Sequence, residues 1–272
     1  MSELHFYNAE DLQIANRAFL MGDAVTVNFF VNSGKLIMAE ECYFFLMASM
    51  RKMRMNIPLA YTLEFIQNVI SEKITENQVD DAIVDFHVYR NNDNSVPLQK
   101  ADIFYFIAVK PGKDVLQIAG TMHLDLLKEI NVNTNLLSNI RVHSPENIYA
   151  EIYAKENDLD EVILLNTNNR IARAISGNLL FLEGNTIKIP KQSEGAYISP
   201  LMENFVTFIH KNRLAEIQEA EMVAFESQKA EEILLISDQK GVYSVSQIRN
   251  KSFSATRFLE MVTQWRSSFR EA

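Results

Sequence analysis

Two arginines raise the first chemical question about this chain. Arg173 closes the short apolar run "RIAR" and is followed by the small-residue stretch "AISGN", so a charge stands at a strand end beside a turn. Arg141, in "SNIRVHSPENIYA", precedes a helix start at Ser144 and Pro145, which suit the cap and first-turn positions. A guanidinium is a planar fork of N–H donors that stays protonated at physiological pH. It recognises carboxylates and phosphates and offers no free amine or base. The chemistry such a side chain would supply is anion recognition, with Ser176 and Asn178 as neutral donors on the turn beside Arg173. The competing reading is that both arginines pair with acids and only hold the fold together. Glu146 is near Arg141 in sequence, whereas no acidic residue lies between Ile163 and Leu182. Arg173 is therefore expected to meet an anion or an acid from distant sequence.

Other chemistries lack their residues. Neither nucleotide-binding glycine spacing nor a Gly-x-Ser-x-Gly elbow occurs. The five histidines (His5, His87, His123, His143, His210) have no metal-ligand spacing, so no metal is expected. A lone cysteine, Cys42, excludes an internal disulfide and a cysteine-rich zinc site. The net charge of −9, with lysines and arginines scattered, argues against a nucleic-acid surface. The start "MSELHFYNAE" does not read as a signal peptide, and no apolar run reaches membrane-span length. A soluble cytoplasmic protein is the expectation.

These residues need a scaffold, and 47% hydrophobic with 22% charged residues is ordinary globular composition. "DAVTVNFFV" reads as a strand, turning through "NSGK" into "LIM". Residues 39–55 read as a helix with Cys42, Leu46, Ser49, Met50 and Met53 on one face. "AYTLEFIQNVISEKI" reads as a second helix, and "AIVDFHVYR" and "ADIFYFIAV" as strands joined by the polar loop "NNDNSVPLQK". "KPGKD" is the linker candidate, dividing an N-terminal domain, 1–114, from a C-terminal domain, 115–272. After a mixed stretch to residue 140 come the helix opened by Ser144, and strands "EVILL", "RIAR", "NLLFLEG" and "TIKIP". The helix at Pro200, strands "EEILLIS" and "GVYSVSQI", and a last helix after Ser254 complete the chain. The fold class is thus α+β or α/β in two domains.

Four strings resemble the class IV aminotransferases, the fold-type IV pyridoxal-phosphate family of D-amino-acid and branched-chain aminotransferases and aminodeoxychorismate lyase. "NRAFLMGDAV" is similar to the family's Asp-Arg-x-x-x-x-Gly-Asp-Gly. "LIMAEECYFFLMASMRKMRMNIP" resembles its His-x-x-Arg-Leu-x-x-Ser helix. "DEVILLNTNNRIARAISGNLLFLEGNTIKIP" resembles its strand, small-residue turn and Thr-Pro stretch. "AEEILLISDQKGVYSVSQI" resembles Ala-x-Glu-Val-Phe and Pro-Val-x-x-Ile. The order spans nearly the whole chain. It implies a D-amino-acid-aminotransferase-like architecture with a small first domain, a larger second domain, a cleft and a homodimer.

The resemblance also implies where the cofactor partners would stand, and this chain departs from each. The imine-forming lysine falls on Arg141, and the glutamate that bonds the pyridine nitrogen falls on Arg173. The phosphate-binding arginine falls on Phe45, its neighbouring histidine on Cys42, and the phosphate-contacting threonine on Leu201 of "SPLM". The expectation is a degenerate site with no cofactor and no transamination, in which Arg141 and Arg173 clamp a small anionic metabolite. Two alternatives stay open: an active pyridoxal-phosphate enzyme using a displaced lysine, Lys128 or Lys155, and a purely structural or partner-binding dimer.

Overall fold

Apolar alternation builds two sheets. The structure, a computed structural model, describes residues 4–7, 16–91 and 101–269, so nearly all of the loop "NNDNSVPLQK" lies outside the described residues. Contacts divide the chain into unit 1, Met1–Asp114 with Ile140–His143, and unit 2, Val115–Asn139 with Ser144–Ala272.

Unit 1 contains β1 (Leu4–Tyr7), α1 (Arg17–Met21), β2 (Ala24–Asn32), β3 (Lys35–Ile37), α2 (Ala39–Lys52), α3 (Leu63–Glu76), β4 (Ala82–Asn91) and β5 (Asp102–Pro111). The strands form an antiparallel sheet in the order β1-β5-β4-β2-β3. Helical spacing buries Cys42, Leu46, Ser49 and Met50 of α2, and Ile66, Ile70 and Ile74 of α3. The helix expected to reach residue 55 ends at Lys52. Arg54 turns left-handed (φ 53°), and the Met55 amide returns to the Met50 carbonyl. Segment 140–143, placed by sequence in the second half, groups with unit 1 because the Thr26 amide donates to the Arg141 carbonyl at 3.0 Å. Gly22 (φ 65°) lets His143 approach: a Cβ there would lie 2.4 Å from the His143 Cβ.

Unit 2 contains β6 (Ile118–Val132), α4 (Pro145–Glu156), β7 (Glu161–Asn166), β8 (Ile171–Ala174), β9 (Asn178–Glu183), β10 (Thr186–Pro190), α5 (Pro200–Lys211), β11 (Glu216–Ala220), β12 (Glu232–Ser237), β13 (Gly241–Ile248), β14 (Lys251–Ser252) and α6 (Thr256–Ser268). Its nine-stranded sheet runs β11-β10-β9-β12-β13-β6-β7-β8, with β14 on β13. Pairs β10/β11, β13/β6 and β6/β7 are parallel. β8 ends this path and β9 lies far along it, yet only Ile175–Gly177 separates them in sequence. The sheet therefore curls until the Ala174 amide meets the Gly177 carbonyl at 2.9 Å. One sheet face packs Leu124, Ile163, Leu179, Phe181 and Leu235. The other receives Ala150 and Ala154 of α4 against Leu127, Val162 and Leu164. Among the described residues, no helix is long and apolar enough to cross a membrane.

Candidate functional site

The position of Arg173 is set by a bulge. Leu165 pairs with Ile171 while Leu164 pairs with Arg173, so Ala172 is an extra residue on β8. Without it Arg173 would oppose Ile163 and enter the face packed by Leu179 and Phe181. With it, Arg173 joins the side of Leu164, toward α4.

There Arg173 is buried, with 4% of its surface exposed. Nη2 donates to Asn147 Oδ1 at 2.9 Å, and the charge lies 4.4 Å above the centroid of the Tyr197 ring. Asn147 is in the first turn of α4, where its amide is capped by Ser144 Oγ. Its Nδ2 donates to Tyr197 Oη at 2.8 Å and to the Ile175 carbonyl at 3.3 Å. Asn178 fixes Tyr197 from the other side: its Nδ2 donates to the Tyr197 carbonyl, and its Oδ1 accepts from the Tyr197 amide, both at 2.9 Å. Arg173 Nε and Nη1, both closed to solvent, have no hydrogen-bond partner, and among the described residues no carboxylate pairs with Arg173. The acid expected from distant sequence is replaced by an amide and an aromatic face.

The turn after β8 serves a second cluster. Ser176 Oγ and its amide donate to the fully buried Glu161 carboxylate, which also takes Lys240 Nζ at 2.6 Å. Ser237 Oγ donates to the Ser176 carbonyl at 2.7 Å. Gly177 is required by this approach, because a Cβ would lie 2.2 Å from the Ile236 carbonyl oxygen.

The N-terminus of α5 completes the region. Ser199 Oγ accepts the Met202 amide and donates to the buried Asp238 carboxylate at 2.6 Å. A protein carboxylate thus stands at the positive end of this helix. Glu203 follows in the first turn. Partial burial, then the charges of Asp238 and Glu219, push its carboxyl above the usual glutamate value, although the side chain reaches solvent.

Of the expected site residues, unit 2 brings Arg173, Ser176 and Asn178 together, and Arg141 belongs to unit 1. Asn178 holds Tyr197 under the guanidinium and Ser176 serves Glu161, so both side chains expected as neutral donors beside Arg173 are engaged within the protein. Glu146, expected near Arg141, accepts from Ser144 Oγ. Lys128 is exposed on β6 and Lys155 on the last turn of α4. Leu201 is buried in the first turn of α5. Sequence reasoning missed Asn147, Tyr197, Asp238, Glu161 and Lys240. Asn147 alone left a signal, as the third residue after a serine cap beside a proline. Among the described residues, no group of three metal-ligating side chains gathers.

Residues 29–248 match the model of the amino-transferase class IV family, and the chain belongs to that family. An aminotransferase from Brucella abortus, bound to the cofactor PLP, superposes with a TM-score of 0.86 at 11% identity, covering 100% of each chain. A branched-chain aminotransferase from Thermoproteus uzoniensis gives 0.85 at 13%, covering 98% of this chain and 93% of that one. A 4-amino-4-deoxychorismate lyase from Legionella pneumophila, described as putative, gives 0.80 at 16%, covering 95% and 96%. The mixed α+β architecture with its curled sheet is thus that of the fold-type IV aminotransferases. No curated protein sequence matches the chain significantly.

Proposed function

We propose that this protein uses the class IV aminotransferase fold without transaminating and binds a small anion at Arg173. The observation that carries the reading is the buried guanidinium of Arg173, held by a neutral amide and an aromatic ring, with Nε and Nη1 unmatched. A buried cation without a counter-ion is costly, and an anionic ligand is the economical compensation. Because the unmatched nitrogens are closed to solvent, entry requires a local opening.

The residues present do not fit pyridoxal phosphate. Arg173, at the position the resemblance assigns to a carboxylate, would repel a protonated pyridine nitrogen. Arg141 supplies no amine. At α5, where the resemblance places the phosphate, Asp238 already complements the helix end. A further negative charge about 5 Å from it costs roughly 3 kcal/mol at an effective dielectric near 20.

The pairing of Arg141 with Arg173 as a clamp belongs to the same proposal, as does a homodimer. The dimer is supported by the apolar residues Phe19, Leu20 and Met21 that α1 exposes. Sedimentation giving only a 31.2 kDa species would exclude the dimer. The anion site is tested by thermal unfolding with added phosphate, sulfate or a dicarboxylate. One of them should raise the midpoint of the wild type and shift Arg173→Ala much less, as linkage requires. Equal shifts in both proteins would remove the anion reading.

A further inference from the structure

Unit 2 carries a separate concavity of about 510 Å³ between β6, the turn Ala224–Gln228 and the β13–β14 connection. Its floor includes Leu126, 5% exposed and part of the main core cluster, while Phe225 stands at its edge with 72% of its surface in solvent. Lys128, Arg249 and Lys251 line it, and no lining residue is acidic, although the chain carries a net charge of −9.

The three cations are held differently. Lys251 Nζ donates to the backbone carbonyls of Gln228 and Ala230 and lies 5.0 Å from the Phe253 ring centroid, so it is a fixed charge with neutral partners. Arg249 Nε is oriented by Asp125 Oδ1 at 2.8 Å. Among the described residues Lys128 makes no ion pair, and it is exposed. An apolar floor, an exposed aromatic edge and a cationic wall in a cavity of this size complement a small molecule with a flat apolar body and an acidic head.

We propose that this concavity binds a small amphipathic anion, an aryl group bearing a carboxylate or a phosphate, independently of the Arg173 site. The apolar body lies on Leu126 and Phe225, and the head meets Lys128 and Arg249. The test titrates the full-length protein with 2-naphthoate, 2-naphthyl phosphate and the neutral 2-naphthylmethanol, following ligand fluorescence anisotropy. At least one anion should saturate the protein, the two anions distinguishing a carboxylate from a phosphate site, and the alcohol should bind about ten-fold more weakly. Lys128→Gln and Phe225→Ser, both at exposed positions, should each weaken the anion about five-fold or more. Arg173→Ala should leave its affinity unchanged. Equal binding of alcohol and anions, unchanged affinity in Lys128→Gln or Phe225→Ser, or no saturable binding would overturn the proposal. Loss of binding in Arg173→Ala would overturn it too, by assigning the ligand to the other site.

Discussion

Replacing Arg173 by methionine should stabilise the ligand-free protein. The methionine keeps the length of the apolar stem and removes the buried charge together with its unmatched Nε and Nη1. Each unmatched donor group costs about 1–3 kcal/mol, and desolvating the ion adds several more. Against this, the substitution forfeits the hydrogen bond to Asn147 and the stacking on Tyr197, each worth about 2 kcal/mol. It also strands Asn147 Oδ1, at about 1–3 kcal/mol. The balance favours methionine by about 1–3 kcal/mol, within the range found when buried ions are replaced by apolar side chains. Trp265, the only tryptophan, lies in unit 2, so its fluorescence during urea unfolding reports on the unit that carries Arg173. Adding a bound anion at about 100 times its Kd should return about 2.7 kcal/mol to the wild type alone. A loss of more than about 2 kcal/mol in Arg173→Met would mean instead that the guanidinium is fully matched in the native state.

Three further outcomes follow from the geometry. Gly177→Ala should destabilise unit 2 by about 1–3 kcal/mol or more in urea unfolding, since its Cβ would strike the Ile236 carbonyl. Burial, then the charges of Tyr105 and Tyr89, hold the Tyr61 hydroxyl well above the usual tyrosine value, where it donates to the Ile103 carbonyl at 3.2 Å. With the folded pKa raised, stability should be level below about pH 10 and fall as pH rises past it. Tyr61→Phe should flatten that alkaline limb in circular dichroism. Ser199→Ala should cost about 1 kcal/mol or more, because it removes together the α5 cap and the hydroxyl that donates to the Asp238 carboxylate.

Much of the scaffold was readable from residue pattern. Ser144-Pro145 and Ser199-Pro200 both cap helices as their types require, and the short apolar runs became β7, β9 and β12. β6 was not readable, because a strand with parallel partners on both sides and uneven burial along its length shows no clean alternation. β11, "EIQEA", is a polar edge strand and carried no apolar signal. Arg173 was recognisable as a misplaced charge, but its surroundings were not. The direction of its side chain depends on the one-residue bulge at Ala172. Its partners Asn147 and Tyr197 come from a helix turn and an irregular segment that only the curled sheet brings together.

The most direct measurement of the central claim is titration of the purified protein with pyridoxal phosphate, followed by borohydride reduction and peptide mass mapping. No saturable visible band and no stoichiometric pyridoxyl adduct should form, because Arg141 stands where the resemblance requires an amine and Asp238 opposes a phosphate at α5. A saturable band with one reducible adduct per chain, mapped to Lys128, Lys155 or any other single lysine, would contradict that claim.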